Sequence, residues 1–236
     1  MTRYLICSAQ RTGSNLLCDL LAQTGQAGIQ DVRDGHFFLG TGEGLKHKTL
    51  QDVDDWFATH ATTSNGVQGC KGSFEYFDEL HAHCGPELVD YLLQSFTHFI
   101  YLKREDVVAQ AISWALAAQT KHFSSLATQP EQPAEYSYHL ITYFMGRIEA
   151  QYKRFEVFFE QYGIVPHELV FENWSRDFEQ TLYRIFIYLD LPELKSLKVQ
   201  PLLKRQIDSR KEEWKMRYYA DAPGELYVLD PEWWRE

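Results

Sequence analysis

No stretch of this chain approaches the roughly 18 consecutive apolar residues that a membrane-spanning helix requires, so no integral membrane segment is expected. The first apolar run is only a few residues long and polar residues follow it, so no secretory signal is expected either. Positive charge is in deficit: 23 Lys and Arg face 33 Asp and Glu, a formal net charge of −10. Nucleic-acid affinity rests on neutralising phosphates, so this balance argues against a nucleic-acid partner. A single nucleotide needs only a local basic pocket and is not excluded. Cysteine is scarce, with only Cys7, Cys18, Cys70 and Cys84. Their spacings match no zinc signature, and a reducing cytoplasm is the expected compartment. His81, His83 and Cys84 sit together but lack a fourth ligand at useful spacing, so no metal site is expected. No cysteine sits in an evident electropositive setting that would make it a nucleophile.

What is present suits one folded domain over residues 1–236. Hydrophobic residues make up 44% and aromatics 15%, enough for a full core. Short apolar runs alternate with helical patterns, which predicts an α/β fold with a mostly parallel central sheet flanked by helices. Strands are expected at 4–7, 67–71, 97–102 and 167–171. Helices are expected at 14–24, 51–61, 86–95, 105–119, 136–162 and 178–189. Residues 26–48 read as a long functional loop, 123–135 as a second loop, and 202–217 as a basic segment. In 136–162 the apolar positions Leu140, Ile141, Phe144, Ile148, Tyr152, Phe155 and Phe159 recur every three or four residues.

Chemistry concentrates first at residues 8–15, where a strand, a polar turn and a helix start follow one another. Backbone N–H groups at a helix N-terminus are unpaired and carry partial positive charge, so they attract phosphate or sulfate. Gly13 permits close approach, Thr12 and Ser14 offer hydroxyls, and Arg11 offers a planar cationic fork. An ordinary strand–turn–helix junction would share this outline. The turn is not a Walker A loop, since the Gly-x-x-x-x-Gly-Lys-Ser/Thr pattern is absent. It therefore suits an anionic donor whose transfer needs no metal-bridged triphosphate.

A second constellation runs from Lys103 to Trp114. Arg104 ends the clearest internal strand and Ser113 follows nine residues later in a helix. Ligands collect at the carboxyl ends of parallel strands, so Arg104 and Ser113 are candidates for a second phosphate.

Together these segments resemble the sulfotransferases, and most closely the bacterial carbohydrate sulfotransferases of the trehalose sulfotransferase type. The family loop is similar to Ser-Gln-Arg-Ser-Gly-Ser-Thr-Leu-Leu, against residues 9–17 here. Its second motif is similar to Arg-Pro-Asp-Val-Val-x-Gln-Ala-Val-Ser-Phe-Trp, against residues 104–114. Further matches are Gly69-Cys70-Lys71, Gln119-Thr120, Leu203-Lys204-Arg205-Gln206, Glu213-Trp214 and Arg217-Tyr218.

The resemblance implies a three-layer, P-loop-like sulfotransferase fold. It implies 3′-phosphoadenosine 5′-phosphosulfate (PAPS) as donor and a hydroxyl of a carbohydrate or glycolipid as acceptor, with no metal. Arg11, Thr12, Gly13, Ser14 and Asn15 would hold the 5′-phosphosulfate. Arg104 and Ser113 would hold the 3′-phosphate, and Arg205 and Gln206 would close over the donor. Lys71 would face the sulfuryl group, although a solvated strand-end lysine fits the sequence equally well. The family's general base is a glutamate just before a Phe-Phe pair. Here Phe37-Phe38 is preceded by His36, and histidine as a residue type can serve as a base. Asp34 and Glu43 are the alternatives. Homodimerisation is implied by the resemblance alone. Two other readings stay open: a kinase-like phosphotransferase on the same fold, and a non-catalytic nucleotide-binding protein.

Overall fold

A computed structural model describes residues 2–29, 48–123, 132–192, 198–203 and 208–222. The strands are β1 (Arg3–Ser8), β2 (Gln68–Gly72), β3 (His98–Lys103) and β4 (His167–Val170). The helices are α1 (Ser14–Gln23), α2 (Leu50–His60), α3 (Phe74–Cys84), α4 (Pro86–Ser95), α5 (Val107–Thr120), α6 (Tyr138–Tyr162), α7 (Phe171–Trp174), α8 (Phe178–Tyr188) and α9 (Arg210–Asp221). The chain divides into two compact units, Met1–Glu105 with Gln151–Lys204, and Asp106–Ala150 with Arg205–Glu236.

The first unit is built on one sheet of order β2-β1-β3-β4, with every pairing parallel. β1 is buried along its whole length, as expected of a strand covered on both faces. Alternate residues serve opposite faces. Leu5, Cys7, Phe99 and Tyr101 join Val53 and Phe57 of α2, Leu80 of α3, Leu92 of α4 and Phe155 of α6. Tyr4, Ile6, Ile100 and Leu102 join Leu17 and Leu21 of α1 and Ile185 and Phe186 of α8. The unit is therefore three-layered, and the α/β fold with a parallel central sheet is as expected. Burying each of these large side chains contributes about 1.5–3 kcal/mol relative to exposure.

β1 is the pivot of this sheet, because the chain leaves it towards β2 on one side and β3 on the other. Such a switch point opens a crevice outside the strands' carboxyl ends. The register places Cys7 opposite Gly72 and Tyr101, and Ser8 opposite Leu102, so those ends are level.

The second unit contains α5, the first half of α6, and α9. Asp106 caps α5 by accepting from the Ala109 N–H at 2.9 Å, and its other oxygen pairs with Lys215 of α9 at 2.5 Å. Trp114 stacks on Phe144 at 4.6 Å and is 7% exposed. The Trp114 ring is thereby committed to the core and is not open as a platform for sugar or adenine.

α3 and α9 were not expected. α3 lies in an aromatic and histidine-rich stretch that blurs the 3.6-residue period. α9 is rich in charge, and only Trp214 and Tyr218 are buried on it. The strand expected at 167–171 ends at Val170, and Phe171 opens α7 instead.

Candidate active site

The loop after β1 is shaped by two left-handed residues, Arg11 at φ 65° and Gly13 at φ 86°. Alternating backbone handedness of this kind turns successive N–H groups inward into an anion-binding nest. Gly13 is the N-cap of α1, with no side-chain cap present. The reason for a glycine is partly steric. A Cβ there would lie 2.7 Å from Phe171 Cδ2 and 3.3 Å from Trp174 Cζ2. The glycine thus makes room for α7.

Thr12 departs from the role of a hydroxyl donor to an anion. Its side chain is wholly buried and its hydroxyl donates to the Ala9 carbonyl at 3.0 Å. It braces the loop from within, so its contribution to a bound anion would come from the backbone. Ser14 and Asn15 are half-buried in the first turn of α1.

Three cations converge on this loop within the first unit. Lys71, on β2, donates to Asn15 Oδ1. Burial lowers its ammonium to about 8; Cys18 opposes the shift and Arg11 reinforces it. Burial, followed by the charge of Arg104, lowers the Arg11 guanidinium to about 10. Arg104 follows β3 and donates from Nη1 to the Arg11 carbonyl at 3.4 Å. Depressed cations that crowd one another are stabilised by an anion placed among them. The reading of Lys71 as a solvated strand-end side chain does not hold.

Glu172 was not foreseen. Its carboxylate pairs with Arg104 Nε at 3.3 Å from a position 68 residues away, a separation that no local pattern reveals. Ser113 is a buried residue of α5 in the second unit. His36, Asp34, Glu43, Phe37, Phe38, Arg205 and Gln206 lie outside the described residues.

Other features carry less chemistry. Cys7, Cys18, Cys70 and Cys84 are unbridged. Burial pushes the Cys7 and Cys70 thiols up and Cys18 up to about 12, so they are inert as nucleophiles. Among the described residues no cluster of His, Cys, Asp or Glu has metal-binding geometry. No described helix is long and apolar enough to cross a membrane. A cavity of about 340 Å³ lies at the amino end of β3, lined by Phe96, Thr97, Phe99, Phe158 and Tyr188 among others, with no Lys or Arg. It is at the opposite end of the strands from the cation-rich loop.

The first unit thus combines a parallel sheet with a glycine-containing loop at its switch point, bordered by Arg11, Lys71 and Arg104, the layout of an α/β group-transfer fold. The chain belongs to the Stf0 sulphotransferase family, whose pattern matches residues 3–82 and 86–221. It is 26% identical to the trehalose 2-sulfotransferase of Mycolicibacterium smegmatis, over 94% of this chain and 96% of that protein. It is 24% identical to the trehalose 2-sulfotransferase of Mycobacterium tuberculosis, over 93% and 95%. Its fold is similar to a sulfotransferase from Alicyclobacillus acidocaldarius, with a TM-score of 0.51, 17% identity, and coverage of 93% and 92%.

Proposed function

We propose that this protein transfers a sulfuryl group from PAPS to a hydroxyl of a carbohydrate or glycolipid, by direct in-line displacement with a general base and without a metal. The observation that carries this reading is the convergence of Arg11, Lys71 and Arg104 on the loop at the β1 switch point. The donor bears separate 5′ and 3′ anions, which suits one cationic group on the loop and another beyond β3. The names of the two mycobacterial relatives support a carbohydrate acceptor, trehalose among the candidates.

PAPS supplies an activated sulfuryl group. Around it, the 11–15 nest would hold the 5′-phosphosulfate through backbone N–H groups. Arg11 and Lys71 would meet the charge that grows on the leaving oxygen, where a preorganised donor is worth most. Arg104 would hold the 3′-phosphate. Ser113, Arg205 and Gln206 enter this reading through their motifs alone. His36, with Asp34 and Glu43 as alternatives, would take the acceptor proton. Four unbridged cysteines support a reducing, cytoplasmic setting.

The test is labelled-sulfate transfer from PAPS over a sugar panel that includes trehalose, beside thermal-shift binding. Stabilisation by adenosine 3′,5′-bisphosphate is expected, because a native-state ligand raises apparent stability. Stabilisation by ATP with Mg²⁺ but not by the bisphosphate would indicate a kinase-like enzyme and defeat the reading. Binding without transfer to any acceptor would indicate a nucleotide-binding protein. His36→Ala is expected to abolish transfer and spare donor binding; full activity would remove His36 from the base role.

A further inference from the structure

Glu172 reaches Arg104 with both carboxylate oxygens engaged. Oε1 accepts from Arg104 Nε at 3.3 Å, and Oε2 accepts from the Glu105 backbone N–H at 3.0 Å. One side chain thus fixes the Arg104 guanidinium and the backbone just beyond it. The ion pair is sheltered, with side-chain exposures of 18% for Arg104 and 24% for Glu172. Phe171, the preceding residue, lies under the same guanidinium at 4.8 Å from its ring centroid. The same ring occupies the space that a Cβ on Gly13 would take. The first two residues of α7 therefore touch both the loop of the 5′ anion and the arginine beyond β3.

The remaining contacts of Arg104 set the direction of its fork. Nη1 donates to the Arg11 carbonyl at 3.4 Å. Among the described residues these contacts engage Nε and Nη1, and none engages Nη2. A carboxylate beside an anion site repels the ligand, so its net effect is the balance between that repulsion and its orientation of the arginine. Arginine recognises phosphate through a planar fork, which makes orientation decisive.

We propose that Glu172 is a positioning residue that holds Arg104 in register to receive the 3′-phosphate of the donor, an inference that rests on the donor reading above. Glu172 does not touch the donor; it acts through Arg104. Its removal should therefore affect ligands that carry a 3′-phosphate and spare those that lack one.

The experiment compares the affinities of adenosine 3′,5′-bisphosphate and adenosine 5′-monophosphate by calorimetry. Wild-type protein should prefer the bisphosphate. Glu172→Ala should cut that preference about tenfold, the scale of one charged hydrogen bond. Glu172→Gln keeps one of the two acceptors and should fall between, and it reads the same ratio if the alanine variant does not fold. Arg104→Ala should abolish the preference, and adding Glu172→Ala to it should change nothing more. Equal weakening of both nucleotides would mark a general fold effect and overturn the proposal. An unchanged or increased preference would overturn it too, by showing that repulsion outweighs orientation. A wild-type protein with no preference would overturn the donor reading itself, and the proposal with it.

Discussion

Lys71 donates a hydrogen bond to Asn15 Oδ1, joining β2 to the first turn of α1 across 56 residues. The bond aims an ammonium at the loop that Arg11 opens. It places a cation that burial has weakened beside a helix N-terminus that favours anions.

On the proposed donor reading, the weakened charge should make donor binding pH-dependent. Lys71 titrates near 8 in the folded protein, against 10.5 for an ordinary lysine. A bound anion favours the protonated form and raises that value again. Affinity for adenosine 3′,5′-bisphosphate should be full below about pH 8 and fall as pH rises through it, by up to about tenfold per unit. Calorimetry in buffers of different ionisation enthalpy should show proton uptake above that pH, and Lys71→Met should remove it. The protein by itself follows the opposite sign. Its folded value lies below the unfolded one, so Lys71 adds stability as pH rises from about 8 towards 10.5. An affinity that climbs above pH 8 would sink this account.

Arg11 should trade stability for rate. It is sheltered and opposed by the charge of Arg104. Arg11→Ala should lower kcat by about 10²–10³ if the guanidinium meets the leaving group. Its Tm should fall little, because burial and then the like charge of Arg104 both oppose the guanidinium. Arg11→Lys keeps the charge but loses the fork, and should recover only part of the rate. A variant both slow and clearly less stable would point to a structural role instead.

Two glycines separate backbone strain from collision. Gly13 and Gly25 both have positive φ, at 86° and 63°. A Cβ on Gly25 meets nothing within 4 Å, whereas one on Gly13 meets Phe171 at 2.7 Å. Gly25→Ala should cost about 1–2 kcal/mol, the left-handed penalty alone. Gly13→Ala should cost a further ~1–3 kcal/mol for overpacking. Denaturant unfolding reads both, and equal losses would mean that α7 yields easily.

The acid limb of the kcat profile should name the base. With His36 in that role, activity should fall off near about pH 6.5, the ordinary histidine value. With Asp34 or Glu43 the limb should lie near about pH 4. A limb near 4 that persists in His36→Ala would exclude His36.

In the second unit, Asp106 serves two partners that mutation can separate. Asp106→Ala loses both the α5 cap and the Lys215 pair, and should cost about 1–2 kcal/mol, mostly for the cap. Asp106→Asn keeps an acceptor for the Ala109 N–H and should cost under about 1 kcal/mol, since the pair is partly exposed. Equal losses in thermal unfolding would mean that the ion pair, and not the cap, secures α5.

Local pattern carried a good deal of this architecture. The period of the apolar residues separated strands from helices, and the alternation of the two implied a parallel sheet. The strand, glycine turn and helix at 8–15 were legible, because those properties belong to adjacent residues. Where local pattern was blurred, as in α3, or dominated by charge, as in α9, the helix went unread.

The sequence by itself determined most of the elements, the strand–turn–helix junction at 8–15 and the kinship to sulfotransferases, because each is written in neighbouring residues or in short motifs. Tertiary structure alone decided how those residues act. Burial made Lys71 a weakened cation and turned the Thr12 hydroxyl inward. Phe171 explained Gly13, and Glu172 met Arg104 from 68 residues away. Solvent exclusion and long-range approach set these properties, and both arise only when distant segments share one sheet.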